Sequence, residues 1–296
     1  MKLVGCVMLS SNPMLARQAI DSVRATVDEA ADPHVAVMFG LGLWNVPIGD
    51  WYREGWFGDV EYLRPINFGD EDSRTGRIFR QFSFSAMNNR MAAGISTEAE
   101  RVLGTHLDYY LFLNDDVHAP EGMQFVSAMV RAHEEADASV VGLKLVYPPN
   151  VNPQLGGRIQ HAGHYRGHCG TGTHRGLYAD PNAREFSEPP WVETWAVTGA
   201  CVLVTPDHFW MPRDNKRVYG FDEQYETLWQ DVDLSLGLRK VTGKPVVVVQ
   251  DHWIYHYEGA TQGGRFDEEP WWQTRPDVSR DRERFIQKWP PWRDGE

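Results

Sequence analysis

An apolar run, Tyr109-Tyr110-Leu111-Phe112-Leu113, leads directly into Asn114-Asp115-Asp116-Val117, and further along stand Trp229-Gln230-Asp231-Val232-Asp233 and then His256. Carboxylates just past a buried strand gain nothing from packing, because an unpaired charge inside a protein is costly. The carboxyl edge of a sheet, by contrast, is where α/β proteins bind ligands. Alternation along a strand puts Asn114 and Asp116 on one face. Oxygens so placed suit a hard divalent ion and its attached phosphates, since Mg2+ and Mn2+ take oxygen ligands and leave positions for water and substrate. His256, following Trp253-Ile254-Tyr255, completes such a site and shifts its preference toward Mn2+, which accepts imidazole more readily. Helix capping offers the competing account: Asp116 helps to cap the helix beyond Pro120, Asp231 is itself an N-cap, and Asp233 gains from the helix dipole.

Other residues invite weaker readings. His161, His164, His168, Cys169 and His174 are crowded into one segment, yet their spacing matches no closed zinc pattern, so an acceptor loop is the preferred reading over a zinc site. Trp191, Trp195, Trp210, Trp229 and Trp253 are sugar-stacking candidates that serve equally well as core, and only Trp229 adjoins an acidic motif. Arg74, Arg77 and Arg80 suit a diphosphate or an anionic acceptor, or simply a solvated loop.

These groups need a scaffold. With 296 residues, 42% of them hydrophobic, the chain can bury a substantial core. A net charge of -12 argues against binding nucleic acid through its phosphates, which needs a basic face. No stretch approaches the roughly 20 apolar residues of a membrane span, so a soluble, cytoplasmic protein is expected. Cys6, Cys169 and Cys201 are widely separated; no disulfide framework is expected, and Cys6 and Cys201 read as buried small hydrophobes.

Strand-like runs at 2–9, 34–39, 60–63, 109–113, 139–146, 200–205 and 246–249 alternate with helical segments. Ser10-Ser11-Asn12-Pro13 caps a first helix reaching about Val27; 84–93 and 120–136 are helical, the latter with Pro120 and Glu121 in its first turn. A short turn or helix is expected at 98–104, and a long irregular excursion or small sheet from Pro148 to Pro190. Leu234, Leu238 and Val241 mark a helix after the second acidic cluster, ended by Gly243. Asp281 to Lys288 suggests a last amphipathic helix in a tail whose tryptophans either pack on the domain or offer a surface for a homo-oligomer.

In this order the motifs resemble those of the family 2 nucleotide-sugar glycosyltransferases. Leu111 to Val117 is similar to the family's DXD-type segment, Thr198-Gly199-Ala200-Cys201 to its Gly-Ala strand beside the acceptor, and Gly220-Phe221-Asp222-Glu223 to its Gly-Phe-Asp-Glu turn. Asp231-Val232-Asp233-Leu234 with Leu238-Arg239 looks like its acidic motif, Trp229 like the tryptophan some members place before it, and His256-Tyr257-Glu258-Gly259 like its late histidine. Gly157 and Gly163 echo a further segment, and the likeness runs from about Val4 to Trp289. It implies a GT-A fold, an α/β architecture with a Rossmann-like mixed central sheet. One domain is expected over 1–265, its nucleotide-binding half about 1–118 and its acceptor half about 119–265, with 266–296 a tail packed on it.

The resemblance also implies roles. Asp116 and His256 would hold Mn2+ or Mg2+; Ser11, Asn88, Asn114, Asp115 and Asp116 would bind the donor. Gly199, Ala200, Trp229 and Asp233 would meet the acceptor, with Asp233 orienting Trp229, Arg239 or the acceptor itself, and Asp231 would be the base of an inverting, hexosyltransferase-like enzyme. The donor would be a UDP- or dTDP-sugar, the acceptor a hydroxyl of a glycan, lipid-linked sugar or small molecule. Gly40-Leu41-Gly42 and Trp44-Asn45 depart from the family's acid-bearing loop, leaving Asp59 and Asp70 as substitutes for recognising the base. Alternatives are a metal-dependent nucleotidyltransferase, for which a Gly-rich phosphate loop is missing, and a noncatalytic carbohydrate-binding protein on a degenerate transferase fold.

Overall fold

A computed structural model describes residues 1–27, 34–44, 55, 57–60, 63–68, 82–150, 153–167, 172–213, 219–257 and 276–290. Asp70, Arg74, Arg77, Arg80, His168, Cys169, Glu258, Gly259, Trp271, Trp272 and Trp292 lie outside these residues.

The first strand, β1 (Lys2–Ser10), runs into α1 (Pro13–Thr26), whose N-cap Asn12 accepts hydrogen bonds from the amides of Met14 and Leu15 at 3.0 and 3.4 Å. β2 (Val35–Leu43) pairs parallel with β1, and β3 (Leu63–Asn67) pairs parallel with β2. The expected strand at 60–63 thus begins later. The segments expected at 84–93 and 98–104 are one helix, α2 (Phe84–Leu103). Gly94 lies within this helix; a side chain there would meet Ile66 Cδ1 at 2.9 Å, so the glycine lets the helix lie close on β3.

β4 (Tyr109–Asn114) is parallel to β1, and β5 (Val117–His118) follows the acids. The next helix, α3 (Phe125–Ala136), starts later than expected, because Pro120 to Met123 forms a turn with Gly122 at φ 74°. β6 (Val140–Val146) is buried throughout. The excursion from 148 to 190 is in part a small sheet: β7 (Ile159–His161) joins β6, while β8 (His164–Arg166) and β9 (Gly172–His174) form a two-stranded hairpin. Then come β10 (Trp191–Glu193), β11 (Cys201–Val204), a short α4 (Pro206–Phe209), α5 (Gln230–Thr242), β12 (Val246–His256) and α6 (Pro276–Lys288).

The main sheet has the order β10-β12-β6-β11-β4-β1-β2-β3, with β5 added to β12 and β7 to β6. β11 is antiparallel to both β4 and β6, so the sheet is mixed. One apolar layer packs α1 and α3 on a face of this sheet; the other packs α2, α4 and α5 on the opposite face. Val246 to Val249 and Trp253 to His256 belong to one strand whose register shifts in between, which carries His256 to the end of β4. Cys6 and Cys201 are buried and free. Among the described residues, no helix is long and apolar enough to cross a membrane.

Candidate active site

β4 ends at Asn114 beside β1, and the acids project from the carboxyl edge that these parallel strands share. Asp115 turns toward β1: its Oδ2 lies 2.5 Å from Ser10 Oγ. Burial raises the Asp115 carboxyl to about 7, Asp116 adds to the rise, and the Ser10 hydroxyl opposes it. That hydroxyl has one proton and two acceptors, the Asn12 carbonyl at 2.8 Å and Asp115, so protonating Asp115 relieves the competition.

Asp116 turns toward β12. Its carbonyl accepts from the Tyr257 amide at 2.8 Å, and β5 pairs with Tyr255 and His256, so backbone bonds fix both residues. The Gln160 Oε1 lies 2.7 Å from His256 Nδ1, which assigns the ring proton to Nδ1 and leaves a lone pair on Nε2. Nε2 faces Asn114 Nδ2 at 3.4 Å and Asp116 Oδ1 at 3.2 Å. Asp116 Oδ1 is buried, and His256 Nε2 is the group that faces it. Burial opposes ionisation of Asp116, yet His256 and neighbouring hydrogen bonds hold its carboxyl below the usual range. At 3.2 Å a proton or a metal ion must lie between Nε2 and Oδ1: a proton makes them an ion pair, and a metal ion takes both lone pairs. That separation suits adjacent ligands of an ion at about 2.1 Å, so the donor pair fits Mn2+ or Mg2+.

The second half of the site is built on α5. Asp231 stands in its first turn; Trp229, at φ 65°, is the N-cap, so Asp231 is not the cap that the competing account made it. Asp231 Oδ2 accepts from the Gly199 amide at 2.7 Å and Oδ1 from the Val232 amide at 2.8 Å. Burial raises its pKa and these amides oppose the rise; the residue as a whole is half-buried. Ala200 in turn accepts the Asn114 amide at 3.0 Å. Gly199-Ala200 therefore ties the acid-bearing end of β4 to Asp231.

A third cluster borders Asp231. His161, His164 and His174 come together with one nitrogen each within 4.8 Å of the others, a group that could hold a metal ion. His161 Nε2 accepts from the Thr198 amide at 3.3 Å, next to the amide that holds Asp231.

Other expected residues are placed differently. Asp233 is fully buried: its carboxylate takes Trp289 Nε1 at 2.8 Å, Tyr225 Oη at 3.4 Å and Lys288 Nζ at 2.9 Å, so its side chain anchors α6, while its amide donates to the Trp229 carbonyl at 2.8 Å. Arg239 instead bonds Glu193 and the Thr194 carbonyl. Trp229 stacks on Phe285 with centroids 6.3 Å apart. Ser11 is exposed; Ser10 is the residue that reaches the acids. Asn88 donates to its own helix at Phe84, whereas Asn89 clamps the 220–223 turn through Phe221 N at 2.7 Å and Phe221 O at 2.9 Å. Gly220, at φ 60°, leaves room for Asn89, whose Oδ1 would stand 2.3 Å from a Cβ there. Asp59 is engaged by Arg17 and Arg24 on the surface. Ser10, Asn89 and Gln160 were missed in the sequence; polar residues at buried strand and helix positions were the available signal.

The fold is of the GT-A type. A crystal structure of GalNAc-T7 with UDP, GalNAc and Mn2+ aligns with TM-score 0.57 at 9% identity, covering 96% of this chain and 48% of that one. The mannosyltransferase PcManGT from Pyrobaculum calidifontis, in complex with GDP-Man and Mn2+, aligns with TM-score 0.50 at 10% identity, covering 86% and 56%. In sequence, the chain is 27% identical over 194 residues to the O-antigen biosynthesis protein RfbC of Myxococcus xanthus. That match spans 64% of this chain and 13% of RfbC. No protein-family model matches.

Proposed function

We propose that this chain is an inverting glycosyltransferase of the family 2 type, moving a sugar from a nucleoside-diphosphate donor, UDP or dTDP foremost, to a hydroxyl of a glycan, lipid-linked or small-molecule acceptor. The observation that carries this reading is the Gly199-Ala200 bridge, which couples the Asp116–His256 donor pair to a half-buried, amide-held Asp231. The Mn2+ complexes of GalNAc-T7 and PcManGT, on the same fold, and the sequence likeness to an O-antigen biosynthesis protein support it.

Asp116 and His256 would hold Mn2+ or Mg2+, which when bound supplies positive charge to a departing diphosphate. Gln160 keeps the His256 lone pair aimed at that position. Asp115, anchored on Ser10, fixes the turn that presents Asp116. On the acceptor side, Asp231 accepts the proton of the attacking hydroxyl, and the Gly199 and Val232 amides orient its oxygens. Attack opposite the leaving group inverts the anomeric centre and needs no side-chain nucleophile.

The test is to incubate the protein with activated sugars, Mn2+ and a panel of acceptors. Release of nucleoside diphosphate, lost in Asp231→Asn, supports the reading. Release of pyrophosphate indicates a nucleotidyltransferase; glycan binding with neither product indicates the noncatalytic alternative.

A further inference from the structure

The three imidazoles beside Asp231 are assembled by backbone devices of their own. β7 sends Gln160 to His256, while the next residue, His161, turns to the Thr198 amide. His164 and His174 sit directly opposite each other in the β8–β9 hairpin, as a cross-strand pair on one face. Gly163, at φ 95°, makes the tight link that brings His161 and His164 together. Ring centroids are separated by 4.7, 5.1 and 4.7 Å around the triangle.

Packing alone accounts poorly for this group. His164 is 7% exposed, and its Nδ1 is buried with no hydrogen-bond partner, a cost that an interior site avoids unless something else takes the lone pair. Burial, reinforced by the neighbouring rings, keeps His161 and His164 neutral well below the ordinary imidazole range, which is the state a metal requires.

We propose that His161, His164 and His174 form a second metal site, for a borderline ion of the zinc type, separate from the Asp116–His256 position. Three imidazole nitrogens suit Zn2+ or Co2+ far better than Mg2+, and three protein ligands leave a fourth position for water or a substrate oxygen on the side of exposed His174. Without an ion, His161 Nδ1 and His174 Nδ1 share one proton at 3.1 Å. Ligation through Nδ1 of His161 moves its ring proton to Nε2, and the 3.3 Å contact from the Thr198 amide then opens, because both partners carry hydrogen. Ligation by His174 through Nδ1 leaves its remaining ring proton on Nε2. The peptide that responds is joined to Gly199, whose amide holds Asp231, so occupancy adjusts the carboxylate beside it. The proposal is independent of the transferase reading.

The full chain, prepared without a polyhistidine tag and stripped by chelator, is titrated with Zn2+ and with Co2+. The expected result is about one zinc retained per chain after dialysis, and visible Co2+ bands of a four-coordinate ion. These bands vanish in His174→Ala and in His164→Gln and persist in His256→Ala. His174 is exposed, so its replacement spares the core, and circular dichroism checks the fold; His174→Ala decides the matter if His164→Gln does not fold. A folded parent protein that retains no zinc and shows no bands overturns the proposal. Bands that persist in His174→Ala, or that vanish only in His256→Ala, place the ion elsewhere and overturn it equally.

Discussion

At the scale of residues, the site is a division of labour among carboxylates that look alike in sequence. Asp115 and Asp116 are adjacent, yet one is spent on Ser10 and the other shares a buried space with the His256 lone pair. Gln160 is the least conspicuous member, since it acts only by fixing a tautomer. Gln160→Leu is expected to weaken Mn2+ binding by about 10–100-fold without unfolding the protein, measured by titration of the metal against bound nucleotide. Asp231 is raised by burial, so the acid limb of kcat/KM should lie above the ordinary aspartate value of about 3.9. A pH profile with its limb at or below that value would remove Asp231 from the base role. Asp231→Asn should lower kcat by roughly a hundred- to ten-thousand-fold while calorimetry shows donor affinity unchanged.

At the scale of elements, turns and strand ends set these directions. Asn89 on α2 holds the backbone of Phe221 by both its amide and carbonyl. Asn89→Ala should therefore cost about 1–3 kcal/mol in urea unfolding, with the loss centred on residues 220–223. On α3, His133 packs against Tyr109 and is depressed by burial to about 4. Between 6.5 and about 4 the unfolded chain holds this proton and the folded chain does not, so stability falls as pH drops through that window. His133→Phe should make the urea midpoint flatter across it. Much of this level was legible: hydrophobic runs located β1, β2, β4, β6, β11 and β12, and Asn12-Pro13 located the start of α1. Helix bounds were less legible: α2 runs on through Gly94, where the close approach of Ile66 favours glycine, and α3 starts only after a turn that holds Gly122 at positive φ. Spacing could not reveal that Asp233 faces α6, since which face of α5 meets the tail depends on packing between distant segments.

At the scale of the molecule, the C-terminal helix braces the loop that delivers Asp231. The Asp281 carboxylate is fully buried and accepts the amides of Glu226, Thr227 and Leu228 at 2.6–3.0 Å, while Lys288 joins Asp222 and Asp233. Asp281→Ala should lose on the order of 3 kcal/mol of stability and reduce kcat more than donor affinity, because the loop ahead of α5 loses its anchor. Four regions thus converge: the ends of β4 and β12, the Gly199-Ala200 bridge, and the first turn of α5. In the proposed function the ends of β4 and β12 hold a nucleoside diphosphate through a divalent ion at Asp116 and His256, and the bridge sets Asp231 on the acceptor side. The most direct measurement is a thermal-shift titration with UDP and dTDP, with and without Mn2+, on the parent chain and on Asp116→Asn. Binding to the native state raises the melting temperature. The account predicts a Mn2+-dependent rise with a nucleoside diphosphate in the parent that disappears in Asp116→Asn; no rise with any nucleoside diphosphate, or an equal rise in the variant, would contradict it.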